Sequence, residues 1–175
     1  MARALIVGCG CRGRLVGKRL LAKGWQVRGT SRYENGLAAI EEVGIEPALA
    51  DPARPDTVLE LVCDVSVLLW LLASAAGGRQ ALAAIHGPRL ERLMERLIET
   101  PVRGFVYEMK GSVDPILLEH GREVIEATGD TWRVPISMVF VDPSDPHDWA
   151  EIMAGAAVGL LEEGDESIQL SSDGN

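Results

Sequence analysis

Short apolar runs alternate with amphipathic stretches along this chain. Ala4-Leu5-Ile6-Val7 is an unbroken apolar run of strand length, and glycines follow at once. From Arg12 to Lys23 the residues Leu15, Val16, Leu20 and Leu21 recur at helical spacing, and Gly24 stops the pattern. The same reading predicts a strand over Trp25–Thr30 and a short helix over Leu37–Val43, with Asn35 as cap and Gly44 as stop. A third strand, Ile45–Ala50, carries Pro47, which suits a strand start better than a centre. Asp56–Leu61 reads as helix. Val65–Leu72 is the most apolar strand, as expected of one covered on both faces. A long helical stretch over Arg79–Glu99 is interrupted by Gly87-Pro88. The pattern closes with a strand over Val102–Tyr107, a helix over Pro115–Ala127, a strand over Trp132–Ile136, a helix over His147–Leu161 and a last strand over Ser167–Leu170. Regular alternation of strand and helix predicts a doubly wound parallel sheet in a single three-layer αβα domain. It spans residues 1–170, with a frayed tail over 171–175.

Charge and cysteine content narrow the function classes. The longest apolar run, Val65 to Ala76, is shorter than the ~20 residues of a membrane span. Ala4–Val7 is too short for a secretory signal. Three cysteines, Cys9, Cys11 and Cys63, give no disulfide framework, and a reducing cytoplasm is the expected location. A net charge of -9 argues against nucleic-acid binding. Its distribution is uneven: residues 1–33 hold eight basic side chains and no acidic one, and the rest of the chain holds nine basic and 26 acidic. Two readings follow, a solvated basic helix face or a positive field positioned for a polyanion.

The glycines after the first strand carry the sharpest signal. Gly8-Cys-Gly10-Cys-Arg-Gly13 fits G-x-G-x-x-G between an apolar strand and a helix, the context that makes the pattern specific for dinucleotides. Gly8 permits the tight turn, Gly10 lets backbone approach a pyrophosphate, and Gly13 lets the helix pack on the strand. Backbone N–H groups at Cys11, Arg12 and Gly13 open the helix and face an anion. Cys9 and Cys11 read as small loop residues, with a reactive Cys11 as the alternative. At the end of the second strand stand Ser31 and Arg32, with no acid before Glu34. An arginine fork suits a 2′-phosphate where a carboxylate would repel it. The expected cofactor is NADP(H), NAD being the alternative if Glu34 reaches the ribose.

These residues resemble the opening of an atypical or extended short-chain dehydrogenase/reductase, of the kind related to NAD-dependent epimerases and dehydratases, with a Rossmann fold. Gly44 to Asp51 resembles that family's third strand, whose aspartate (here Asp51) hydrogen-bonds the adenine amino group. Asp64 to Ala76 resembles the fourth strand, whose end, at Leu72 and Ala73, passes beneath the cofactor. Val102 to Tyr107 resembles the fifth strand, and Val139 to Leu161 with Ser167 to Leu170 the late return to the sheet. The resemblance implies a homodimer through Leu90–Ile98 and Pro115–Ala127.

The family's catalytic Tyr-x-x-x-Lys is missing. Tyr33 and Tyr107 are followed four residues on by Leu37 and Gly111. Catalytic residues therefore stay unassigned. At the end of the fifth strand, Tyr107, Glu108, Lys110 and Ser112 read as strand-end polar residues, with Glu108 as a base and Ser112 beside a nicotinamide as the functional alternative. His86 and His120 read as partly exposed or capping. Asp142, Asp145, His147 and Asp148 read as a helix cap rather than a metal site. Three functions stay open: an NADP-dependent oxidoreductase or epimerase-like enzyme acting on a small molecule, a non-catalytic NADP(H) sensor, and a scaffold for a protein partner.

Overall fold

A computed structural model describes the backbone of residues 1–172 and the side chains of residues 1–163. Six parallel strands form one sheet: β1 (Arg3–Val7), β2 (Gln26–Ser31), β3 (Glu46–Leu49), β4 (Val67–Trp70), β5 (Gly104–Glu108) and β6 (Ile136–Val139). Their order is β3-β2-β1-β4-β5-β6, so β1 pairs with β2 on one side and β4 on the other. The strand order reverses there, and a crevice opens beyond the strand ends at that point.

Among the described residues seven helices cover the sheet: α1 (Cys11–Ala22), α2 (Leu37–Glu41), α3 (Pro55–Leu59), α4 (Arg79–Ile85), α5 (Pro88–Leu97), α6 (Pro115–Trp132) and α7 (Pro146–Ser172). Strand residues alternate between two cores, because successive side chains leave a strand on opposite faces. Leu5, Val7, Leu68, Trp70, Phe105 and Tyr107 enter the core shared with α3, α5 and α6. Ala4, Ile6, Val67, Leu69 and Val106 enter the core shared with α1 and α7. Pro47 is tolerated because β3 is an edge strand, paired only with β2.

Several expected boundaries shift. Asn35 is not a cap: it lies in a 3-10 turn over Glu34–Gly36, and α2 starts after it. Helix α6 continues through Trp132, where a strand was expected. Its threonines are accommodated by bonding back, Thr128 to the Val124 carbonyl and Thr131 to that of Ala127. Arg133 then ends the helix in the left-handed conformation, φ 56°. The strand follows Pro135, four residues later than read. Ser167–Leu170 is not a strand either, for α7 runs unbroken to Ser172. A four-residue stretch has no period of its own, and here it extends the helix before it. Residues 173–175 of the expected tail lie outside the described residues.

Leu90, Leu93, Met94 and Leu97 are fully buried within the chain, leaving only Ile98 of that run exposed. These four side chains pack into the chain's own core. The Gly87-Pro88 break is real: it separates α4 from α5.

Candidate functional site: a cleft at the strand ends

A cleft of about 470 Å³ runs across the carboxyl ends of the strands. Of the residues singled out in the sequence, Gly8, Gly10, Cys11, Arg12, Gly13, Ser31, Arg32, Asp51 and Leu72 line it. Ala73 is set back: it is fully buried, its N–H bonds Glu108 and its carbonyl accepts from Val113.

Each loop glycine has a distinct physical reason. Gly8 has φ +91°, and a Cβ there would lie 2.3 Å from the Leu71 carbonyl oxygen. A Cβ on Gly13 would come within 2.6 Å of the Gly8 carbonyl oxygen, so α1 packs on the loop only because that atom is missing. At Gly10 a Cβ would meet nothing within 4 Å. Packing does not demand glycine there; the position faces open cleft. Gly10 is also the N-cap of α1 without a side-chain cap, and the first turn holds no acid. The first N–H groups of α1 are thus left to water or to a ligand.

At the outer end Arg32 is exposed, its guanidinium 5.3 Å from the Tyr33 ring centre. Glu34 does not line the cleft. The Ser31 hydroxyl donates to the Tyr33 carbonyl and accepts the Tyr33 N–H, fixing the turn that presents Arg32. Asp51 uses one carboxylate oxygen to accept the Ala53 N–H at 2.9 Å.

The inner end was the least legible. Glu108 is 1% exposed and packs against α1 and α7. One carboxylate oxygen accepts the Ala73 N–H at 3.0 Å. The other has no hydrogen-bond partner, and Arg12 Nη1 lies 3.9 Å from it. Burial pushes Glu108 up to about 7, against the lowering pull of the Ala73 N–H, the Arg12 charge and the nearby Trp149 indole. Trp149 Nε1 is likewise buried without hydrogen-bond geometry to any partner, and Arg12 stacks 5.2 Å from the ring centre. Trp149 and Ser74, which accepts the Ser112 N–H, were missed in the sequence. An acid directly after an apolar strand was the one signal available for Glu108. Nothing local marked Trp149, which reaches the cleft from the far end of the chain.

Other expectations resolve differently. Tyr107 points into the opposite core, where its hydroxyl meets His86 Nδ1 at 2.6 Å. Burial, then the Glu108 charge, raises its pKa above the usual tyrosine value, so it stays protonated. His86 is buried rather than partly exposed or capping, because it satisfies this hydroxyl and the Leu72 carbonyl at 3.2 Å. Ser112 is exposed outside the cleft lining, and Lys110 pairs with Asp142 at 3.1 Å. Asp145 accepts the His147 and Asp148 N–H groups, as a helix cap does. Cys9 is buried, its thiol pushed up to about 12, while Cys11 is exposed and accepts from Arg14 at 3.5 Å. The basic segment over residues 1–33 divides too. Arg3 and Arg28 pair with Glu46 and Asp64, Arg19 and Lys23 pair with Glu151, Lys18 is exposed away from the cleft lining, and Arg12, Arg14 and Arg32 line the cleft.

Neither a protein-family model nor a curated protein matches the sequence. Solved structures match in fold. A putative NAD-dependent epimerase/dehydratase from Bacillus halodurans superposes with a TM-score of 0.74 at 15% identity, over 92% of this chain and 90% of that one. Serine dehydrogenase from Escherichia coli gives 0.67 at 14% identity, over 86% and 88%. UDP-glucuronic acid 4-epimerase from Bacillus cereus, in complex with NAD, gives 0.65 at 15% identity over 80% of this chain; the match spans 56% of the epimerase. These likenesses show a Rossmann-type α/β fold.

Proposed function

We propose that the cleft binds a nicotinamide dinucleotide, with the 2′-phosphorylated form preferred. The observation that carries this reading is the uncapped start of α1, with Gly10 turned to open cleft and Arg32 exposed at the end of the neighbouring strand. The α1 N–H groups hold the pyrophosphate, aided by the helix dipole. Arg32 holds the 2′-phosphate and Asp51 the adenine amino group. The epimerase that shares the fold is described with NAD bound, which supports the cofactor class. When bound, such a cofactor supplies hydride transfer.

The site has a reduced set of acid–base groups. Tyr107 is turned away and held by His86, and Lys110 lies outside the cleft lining. Glu108 is the carboxyl at the inner end. We read the protein as an NADP(H)-binding domain, an oxidoreductase or epimerase-like enzyme that does without tyrosine; the inward Tyr107 equally favours a non-catalytic sensor. Titrating NADPH and NADH while following tryptophan fluorescence tests the first step, with Trp149 as a built-in reporter. NADPH should bind more tightly, and Arg32→Ala should remove a gap of about ten- to a hundredfold. Equal affinities in the wild type would overturn the phosphate preference, and binding of neither would overturn the dinucleotide reading.

A further inference from the structure

We propose that dinucleotide binding in this protein is coupled to proton uptake by Glu108, with Arg12 as the cation for which the carboxylate and the ligand's phosphates compete. The inference rests on the cleft being a dinucleotide site and goes beyond it by assigning that site a titrating group.

Three observations carry it. First, Glu108 is firmly anchored on one side only: the Ala73 N–H holds one oxygen, while the other is buried without hydrogen-bond geometry, the Trp149 indole being its nearest donor. A buried carboxylate in that state is costly, and protonation relieves the cost. Second, among the described residues Arg12 is the one charged side chain that faces it. The turn after β4 offers the Ala73 N–H and the neutral Ser74, α7 offers the neutral Trp149, and Tyr107 on the same strand leaves by the other face. Third, Arg12 is not committed to Glu108. It stands 3.9 Å away, stacks on Trp149 and belongs to the first turn of α1, where a pyrophosphate is expected.

An anion at the start of α1 acts on Glu108 twice. It adds a negative charge near the carboxylate, and it draws Arg12 toward itself. Both effects favour the neutral acid. Burial already holds ligand-free Glu108 up at about 7, so near neutral pH a fraction of the molecules, at most about half, takes up a proton on binding. Once protonated, Glu108 is a hydrogen-bond donor, and together with Trp149 Nε1 it gives the inner end two donors for an oxygen acceptor.

Calorimetric titration in two buffers of different ionisation enthalpy counts the protons. NADH is the cleaner probe, because the 2′-phosphate of NADPH itself titrates at about 6. Wild type should take up a measurable fraction of a proton per NADH at pH 7, at most about half, and its affinity should fall up to about tenfold per pH unit above that. Glu108→Gln keeps an acceptor for the Ala73 N–H and cannot titrate. It should bind NADH with no proton uptake and a flat pH profile. Arg12→Gln should take up less than wild type at pH 7, because the carboxyl is already protonated. Tryptophan emission of the ligand-free protein should titrate near pH 7 in wild type and not in Glu108→Gln. Equal uptake in Glu108→Gln and wild type would overturn the proposal, as would wild type that binds NADH without uptake. Unchanged uptake in Arg12→Gln would remove Arg12 from it. If neither NADH nor NADPH binds wild type while the emission still titrates, the dinucleotide reading is what fails, and the coupling falls with it.

Discussion

Tyr107 and Glu108 are adjacent on β5 and leave it on opposite faces, and the two faces treat a buried polar group in opposite ways. On the Tyr107 side the account is closed. Its hydroxyl donates to His86 Nδ1, His86 Nε2–H donates to the Leu72 carbonyl, and α6 closes over the pair. On the Glu108 side it stays open: a carboxylate oxygen and an indole N–H are both buried without hydrogen bonds, beside an arginine and a cleft. A satisfied buried network rigidifies a core, whereas an unsatisfied one is a cost that persists in a folded protein most readily where a ligand completes it. The difference separates structural polarity from candidate chemistry more sharply than residue type does.

The largest effect should come from forcing the closed face open. A Cβ at Gly121 of α6 would lie 2.0 Å from the Tyr107 hydroxyl and 3.1 Å from the His86 carbonyl oxygen. Gly121→Val should destabilise by about 3 kcal/mol or more, read from urea unfolding. A loss under about 1 kcal/mol would mean that α6 does not seal that face.

The two faces should also respond to pH with opposite sign. Glu108 is raised in the folded state, from about 4.5 to about 7. The folded protein therefore holds that proton more tightly, and stability falls as pH rises through this window, by about 3 kcal/mol in all. Burial lowers His86 from 6.5 to about 4, so its contribution is present above 6.5 and is lost, by a similar amount, as pH falls toward 4. Glu108→Gln should accordingly gain stability relative to wild type between pH 4 and pH 8. His86→Gln should gain relative to wild type in the other direction, from pH 8 to pH 4. Parallel pH profiles for wild type and both variants would erase the contrast.

Smaller effects refine it. Tyr107→Phe leaves His86 Nδ1 without its donor and should cost about 1–2 kcal/mol, with dinucleotide affinity unchanged. A large loss of affinity would place Tyr107 in the site after all. Gly10→Val, on the open face, should cost about 1 kcal/mol or less, since the new side chain meets nothing and only a weaker cap results. It should nevertheless abolish NADPH binding, because the valine fills the space proposed for the pyrophosphate. Unchanged NADPH affinity in a folded Gly10→Val protein would count against the cleft as the binding site.

Local sequence was sufficient for the parallel αβα architecture, the glycine loop, the Gly87-Pro88 break and the Asp145 cap. Each of these depends on residues close together in the chain: an apolar period, a missing Cβ, a missing N–H, an oxygen near a helix start. The outer half of the cleft was legible for the same reason, because Gly8 to Gly13 and Ser31-Arg32 follow directly from the ends of β1 and β2. Where local signals were ambiguous, at Trp132 and at Ser167–Leu170, the helix already formed continued through. The inner half was decided by tertiary structure alone. Glu108, Arg12 and Trp149 are separated by many residues and belong to β5, α1 and α7; only the order of strands in the sheet brings them together. Whether a glutamate is a solvated strand end or a buried acid near neutrality depends on what packs against it, and no residue adjacent to Glu108 in the sequence carries that information.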